Sequence, residues 1–172
     1  MSYFLQDLTE VDPSVRDGND QRNRSNNFLE ISDCVIGRFD ELHGRGLKRF
    51  VYMDEPAFQE TPLFNTSAGV HSFLETMVLA ENQLVKYKLK ELFAKWNDDS
   101  TLEIFPTYDY FQAYLAHPKE YGFTTPYEIN AETGFWANNL HASDHSNKIL
   151  ASKFQRFYFD GARGNNLING TT

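Results

Sequence analysis

The chain has 172 residues, which a soft prior of roughly 150 residues per domain reads as one domain, long enough to bury about 70% of its unfolded surface. Sixteen basic against 24 acidic side chains leave a net charge of −8, which repels phosphate backbones and argues against nucleic-acid binding. The single cysteine, Cys34, excludes an internal disulfide framework and a Cys-rich zinc site, and no apolar run reaches the ~18 residues of a membrane-spanning helix.

Residues 1–24 are polar, broken by Pro13 and Gly18, and read as an irregular N-terminal segment without the basic start or apolar stretch of a signal peptide. From Asn26 the pattern changes. Phe28, Leu29, Ile31, Val35, Ile36, Phe39 and Leu42 recur at three- and four-residue steps, which predicts an amphipathic helix ending near Gly44 and Gly46. Cys34 is expected on its apolar side as a buried, inert thiol. Leu47–Met53 reads as a short buried strand, and Pro56 and Pro62 mark the loop after it.

The next helix is the clearest element. Val70, Phe73, Leu74, Met77, Val78, Leu84, Val85, Leu89, Leu92, Phe93 and Trp96 form its stripe, with Glu81, Lys86, Lys88, Lys90, Glu91 and Lys95 expected to face water. Asn97–Ser100 is a turn and Thr101–Phe105 a second strand, closed by Pro106. A short aromatic helix is expected from Tyr108 to His117, then a long loop from Lys119 to about Ala142, then a last helix over Ser143–Phe157 with Ser143 as its N-cap. The tail from Gly161 is rich in Gly and Asn and is expected to be flexible. Alternation of helix and strand predicts an α/β fold with parallel strands joined by crossover helices and both sheet faces covered. Two strands are few for an open parallel sheet, so the fold is expected to be incomplete.

Two blocks carry a family resemblance. Thr101-Leu102-Glu103-Ile104-Phe105-Pro106-Thr107-Tyr108, then Phe111, then His117-Pro118-Lys119-Glu120-Tyr121-Gly122-Phe123-Thr124 resembles the GDSL (SGNH) serine esterases, in their fungal and plant branch. Phe135-Trp136-Ala137-Asn138-Asn139-Leu140-His141-Ala142-Ser143, then Ile149-Leu150-Ala151, resembles that family's last block, Asp-x-x-His-Pro-Thr ahead of a helix. The resemblance spans roughly residues 19 to 158. It implies the C-terminal part, residues 25–160, of a flavodoxin-like three-layer sandwich. The implied activity is hydrolysis of acyl or carbohydrate esters, with no cofactor and no metal. Secretion is likewise suggested by the resemblance alone, as the three Asn-x-Ser/Thr sequons at Asn23, Asn65 and Asn169 are weak evidence in a chain so rich in these residues.

The family's chemistry needs a serine nucleophile, a histidine base, an acid that orients the histidine, and oxyanion donors. His141 matches the base; the plain alternative is a surface-loop histidine. Asn138 stands where the family has Asp. Its amide oxygen can still orient an imidazole ring but cannot neutralise an imidazolium, and in the serine-protease triad the same exchange lowers turnover by about 10⁴; ordinary loop polarity at Asn138 or Asn139 is the alternative. Asn19, in Asp17-Gly18-Asn19-Asp20, is the candidate oxyanion residue, against a plain Gly-Asn turn, and it lacks the family's spacer after the glycine.

No Gly-Asp-Ser block is present. Asp98-Asp99-Ser100 lies between a helix and a strand, the reverse of the order a nucleophile needs, and is set aside. The chain alone is therefore expected to be inactive, either as part of a longer esterase or as a non-catalytic remnant or interaction protein that keeps part of the fold. An unpaired sheet edge is expected to favour self-association. His141 and His145 lie four apart but lack the Glu of a zinc-protease helix, so no metal is assigned. Tyr108, Tyr110, Phe111 and Tyr114 are expected to pack in a core, with a sugar-stacking platform as the alternative.

Overall fold

A computed structural model describes residues 18–161 of the chain, with side chains from residue 29 to 159. The elements run α1 (Gly18–Gly44), β1 (Arg49–Met53), a 3₁₀ turn (Phe58–Glu60), α2 (Ala68–Trp96), β2 (Thr101–Phe105), α3 (Thr107–Ala116), a second 3₁₀ turn (Pro118–Tyr121) and α4 (Asp144–Gly161). Helix α1 starts at Gly18, ahead of the expected Asn26, so the backbone over 18–24 is helical and not irregular. The residues before Gly18 and after Gly161, including the expected flexible tail, lie outside the described residues.

β1 and β2 pair in parallel, Arg49 against Thr101 through Met53 against Phe105. This is the α/β arrangement that alternation implies: a parallel pair needs a crossover connection, here α2. Strand periodicity of two sends alternate residues to opposite faces. Phe50 and Leu102 pack with Val85 and Leu89 of α2, flanked by Val35, Ile36 and Phe39 of α1. On the other face Phe105 meets the rings of Phe154 and Phe157 of α4 edge-on at 5.2 and 5.3 Å, and the Arg49 guanidinium sits 5.4 Å over the Tyr158 ring. Helices thus cover both faces.

Helices α1 and α2 run side by side in the same direction. Lys88 bonds Ser32 and Asp33, the Trp96 Nε1–H donates to Asp40 at 2.8 Å, and His43 meets Asp98 at 2.8 Å, so partners stay 55 or 56 residues apart along both helices. Within α1, Val35, Ile36 and Phe39 face the sheet, while Leu29, Leu42 and Cys34 are exposed. The expected burial of Cys34 is corrected: a helix turns about 100° per residue, so a residue beside a buried one can point to water.

A second apolar cluster lies beyond the carboxyl ends of the strands. It unites Ala57, Phe111, Tyr114, Leu115, Phe123, Phe135 and Trp136, with Ile149 and Leu150 of α4 against it. Phe111 and Tyr114 are therefore core residues and not an exposed stacking platform. Glu81 departs from expectation in the opposite sense. It is 4% exposed, because it shares a helix face with the buried Leu74, Val78 and Val85.

Candidate functional site

The loop that carries His141 is built by a tight backbone arrangement ahead of α4. The Asn130 and Trp136 amides donate to the Trp136 and Glu128 carbonyls at 2.8 and 3.2 Å, which brackets residues 128–136. The Ala137 N–H donates to the His141 carbonyl at 2.8 Å and closes the next turn. Below it Ser143 caps α4 as expected, its Oγ accepting the Ser146 N–H at 3.1 Å. The Ser146 hydroxyl in turn donates to the Phe135 carbonyl at 2.7 Å, and the Trp136 Nε1–H donates to the Pro126 carbonyl at 3.0 Å. The aromatic pair Phe135-Trp136 thus anchors the loop in the second core, and its polar atoms are satisfied by backbone.

On this base Asn138 and His141 meet. The Asn138 Oδ1 accepts the backbone N–H groups of Leu140 and His141, each at 2.9 Å, and lies 3.1 Å from His141 Nδ1. One oxygen therefore fixes both the turn and the ring. The amide oxygen accepts from Nδ1–H, so in the neutral ring the lone pair lies on Nε2, the tautomer a general base requires. Among the described residues no side chain hydrogen-bonds Nε2, and no serine Oγ lies within bonding distance of it. The turn is exposed, and the Leu63 N–H donates to the Asn139 carbonyl at 2.9 Å. That bond ties it to the loop following β1, on the side of the sheet where the strands end.

Asn19 is not brought into this constellation by any described contact. Its backbone lies in the first turn of α1, not in a Gly-Asn loop, and its side chain lies outside the described residues. Asp98-Asp99-Ser100 sits at the opposite end of the sheet, where Ser100 leads into β2. There Lys48, Ser100 and His43 hydrogen-bond the Asp98 carboxyl and hold it well below the usual carboxylate range. His145 bonds the Tyr121 carbonyl at 3.1 Å and packs edge-on against Phe123, so it is engaged away from His141. Among the described residues no group of three or more His, Cys, Asp or Glu is placed to hold a metal ion, and none of their helices is long and apolar enough to cross a membrane.

Two features at this end of the sheet lie outside the sequence expectations. The first is an acidic cluster behind β1. The Asp54 carboxylate, nearly fully buried, takes Lys86 Nζ at 2.6 Å on one oxygen and the Tyr108 N–H at 3.0 Å on the other. Next to it the Asn82 amide brackets the Glu55 backbone, accepting its N–H at 2.8 Å and donating to its carbonyl at 3.1 Å. Glu55 and Glu81 each keep a buried Oε2 without a partner among the described residues. Burial, reinforced by the Glu81 charge, pushes the Glu55 carboxyl up to about 7, and burial pushes Glu81 up to about 6.

The second is a groove of about 470 Å³ at the start of α2, lined by Asn65, Thr66, Ser67, Ala68, His71, Ser72 and Tyr127. The Ser67 Oγ caps α2 by accepting the Val70 N–H at 3.3 Å. His71 Nε2 lies 3.0 Å from Glu60 Oε1, which also accepts from Gln112 at 3.3 Å. The Ser67 cap had a signal in the sequence, a serine ahead of an apolar-periodic run. The groove had none, because it needs Tyr127 from a loop some sixty residues away. No protein-family model matches this chain, and none of the curated proteins compared with it matches either.

Proposed function

We propose that the chain is the histidine-bearing part of a GDSL-type ester hydrolase, with the flavodoxin-like sandwich of that family represented by its C-terminal portion. The observation that carries this reading is the Asn138–His141 pair, 3.1 Å apart, on a loop at the carboxyl ends of a parallel sheet. Open α/β sheets bind their ligands at that end. In this reading His141 Nε2 takes the proton of a serine supplied by a segment bearing the Gly-Asp-Ser block, and the Asn138 oxygen holds the ring in its base tautomer. The substrate is an acyl or carbohydrate ester.

Trans-complementation tests it. Alone, the chain should hydrolyse short acyl esters no faster than its His141→Ala variant, and a serine-directed phosphonate should not label it. Mixed with a separately expressed segment carrying a family Gly-Asp-Ser block, it should gain hydrolysis that His141→Ala abolishes. Asn138→Asp should raise that activity, by up to about 10⁴ if Asp recovers the role it has in serine triads. Failure of every such mixture, or activity indifferent to His141, sinks the proposal. The rival reading, a non-catalytic remnant or interaction protein, draws on one specific observation: the two backbone bonds to Asn138 Oδ1 are those of an ordinary Asx turn, which needs no chemistry.

The reading also bears on assembly. Among the described residues neither β1 nor β2 has a strand on its outer side, and bare edges invite pairing with another chain. The chain alone should self-associate with rising concentration in size-exclusion chromatography with light scattering. A monomer with one sharp thermal transition across the micromolar range refutes this.

A further inference from the structure

Helix α2 carries two apolar stripes, and its own fold buries one of them. Leu74, Val78, Val85, Leu89 and Leu92 are buried within the molecule. The second stripe is Val70, Phe73, Met77, Ala80, Leu84 and Tyr87, at steps of three, four, three, four and three residues. At about 100° per residue it lies roughly a third of a turn round the helix from the first. Val70, Phe73 and Tyr87 are 42%, 43% and 59% exposed, Ala80 is exposed, and Met77 and Leu84 are half-buried. A helix that faces only its own core shows one broad stripe, whereas strict alternation of three and four is the narrow seam of paired helices. Thr76 and Gln83, which flank the seam on its outer side, are exposed and uncharged, so they set no charge against a second helix.

The order of side-chain sizes along the seam decides its partner. Two copies of α2 laid antiparallel, with the two-fold axis between Met77 and Ala80, set Val70 against the partner's Tyr87, Phe73 against the partner's Leu84 and Met77 against the partner's Ala80. Each layer then joins a larger side chain to a smaller one, and the seam fills evenly. Parallel pairing stacks Tyr87 on Tyr87 and Ala80 on Ala80, which crowds one layer and leaves a void in another, and it brings Lys90 towards the partner's Lys95. Antiparallel pairing removes that repulsion. It also carries Glu91, the next position of the seam, to the N-terminus of the partner's α2, where a carboxylate is favoured. We propose that the exposed seam of α2 is the contact between two copies of this chain, packed antiparallel about a two-fold axis beside Ala80. The contact runs about 26 Å along the helix. A single helix pair of that length lies at the low end of specific interfaces, ~1,200 Å² or below, so the dimer dissociates in the micromolar range. It is separate from the bare sheet edges, and it does not depend on the esterase reading.

The test is sedimentation equilibrium of the 172-residue chain and its variants. Ala80→Glu keeps a good helix former at an exposed position and leaves both strands untouched. It places a charge against the partner's Met77 and should weaken the dimer at least tenfold, whereas association through the sheet edges would survive it. Val70→Glu and Tyr87→Lys should each weaken the dimer about tenfold. Combined in one chain they should restore it to within about threefold, because antiparallel pairing sets the two new charges opposite each other between copies. Within one chain the two positions lie about 26 Å apart and cannot meet. Far-UV circular dichroism melts check that each variant folds. Chains of net charge −8 repel one another, so added salt should tighten the dimer. Self-association unchanged by Ala80→Glu overturns the proposal, as does a double variant no better than its singles. A monomer throughout the micromolar range overturns it as well. If that monomer is destabilised by Ala80→Glu, the seam is covered from within the same chain, with residues 1–17 as the segment to delete next.

Discussion

Between about pH 5 and about pH 8 the chain is expected to lose stability as pH rises, by about 2–4 kcal/mol, because Glu81 is buried and Glu55 is partly buried with its Oε2 shut off from water, so their charged forms are poorly solvated. Their carboxyls are pushed up from 4.5 to about 7 and about 6. Both therefore hold more protons in the folded than in the unfolded chain between 4.5 and 7. Their favourable contribution is full below the unfolded value and is lost as pH passes the folded ones. A carboxyl whose pKa rises by one on folding contributes about 1.4 kcal/mol in this way. The pair falls short of the full sum because Glu55 owes part of its rise to the Glu81 charge and water screens both in part. Asp54 with its Lys86 partner, and Tyr52, whose hydroxyl burial pushes upward, are the other ionisable groups around the pair. Urea midpoints across this window should fall for the native chain. In a Glu55→Gln, Glu81→Gln double variant they should stay nearly flat, since an amide keeps the shape and cannot ionise. Midpoints that rise with pH, or an unchanged slope in the double variant, would remove the pair as the cause.

A second large effect is expected at the base of the His141 loop. Trp136 is 1% exposed, donates to the Pro126 carbonyl and bridges to both Ile129 and Ala142. Trp136→Ala should cost about 3–5 kcal/mol through lost burial and the cavity left behind. Gly134, two residues earlier, tests the same loop without touching the aromatic core. A Cβ there would lie 2.5 Å from the Glu128 carbonyl oxygen and 2.6 Å from the Asn130 nitrogen. Those are backbone atoms of the bracket that holds the loop, so the bracket itself must move. Gly134→Ala should cost about 1–3 kcal/mol, the usual range for overpacking, and should displace the Leu140 and His141 amide signals along with those of 128–136. Denaturant midpoints and amide spectra measure both. A Gly134→Ala chain with native stability and an unmoved His141 amide would mean that the bracket does not position the turn.

Much of the architecture was already legible in local patterns. Helix α2, β2 and α3 lie where three- and four-residue periodicity, a short apolar run and Pro106 put them, and Ser143 caps α4 as its position ahead of an apolar-periodic run implies. The Asn138–His141 contact was legible as well, because a three-residue separation lets an Asx turn bring the two side chains together without help from the rest of the fold. Even Glu81 carried a signal. It falls seven residues after Leu74, three after Val78 and four before Val85, which is buried-stripe spacing, and its charge alone argued for water.

What only the tertiary structure decided are features whose parts are distant along the chain. The Glu55–Glu81 pair joins a loop after β1 to the middle of α2, and nothing in either segment says that the other covers it. The groove needs Tyr127 beside the first turn of α2. Cys34 turns out to be exposed because the partners of α1 cover only one side of it, a limit that apolar spacing does not reveal. Local chemistry fixes helices, caps and tight turns, since their bonds span three or four residues. Burial, charge pairing and clefts depend on which elements pack together, and that follows from the crossover of the parallel strands rather than from any one stretch of sequence.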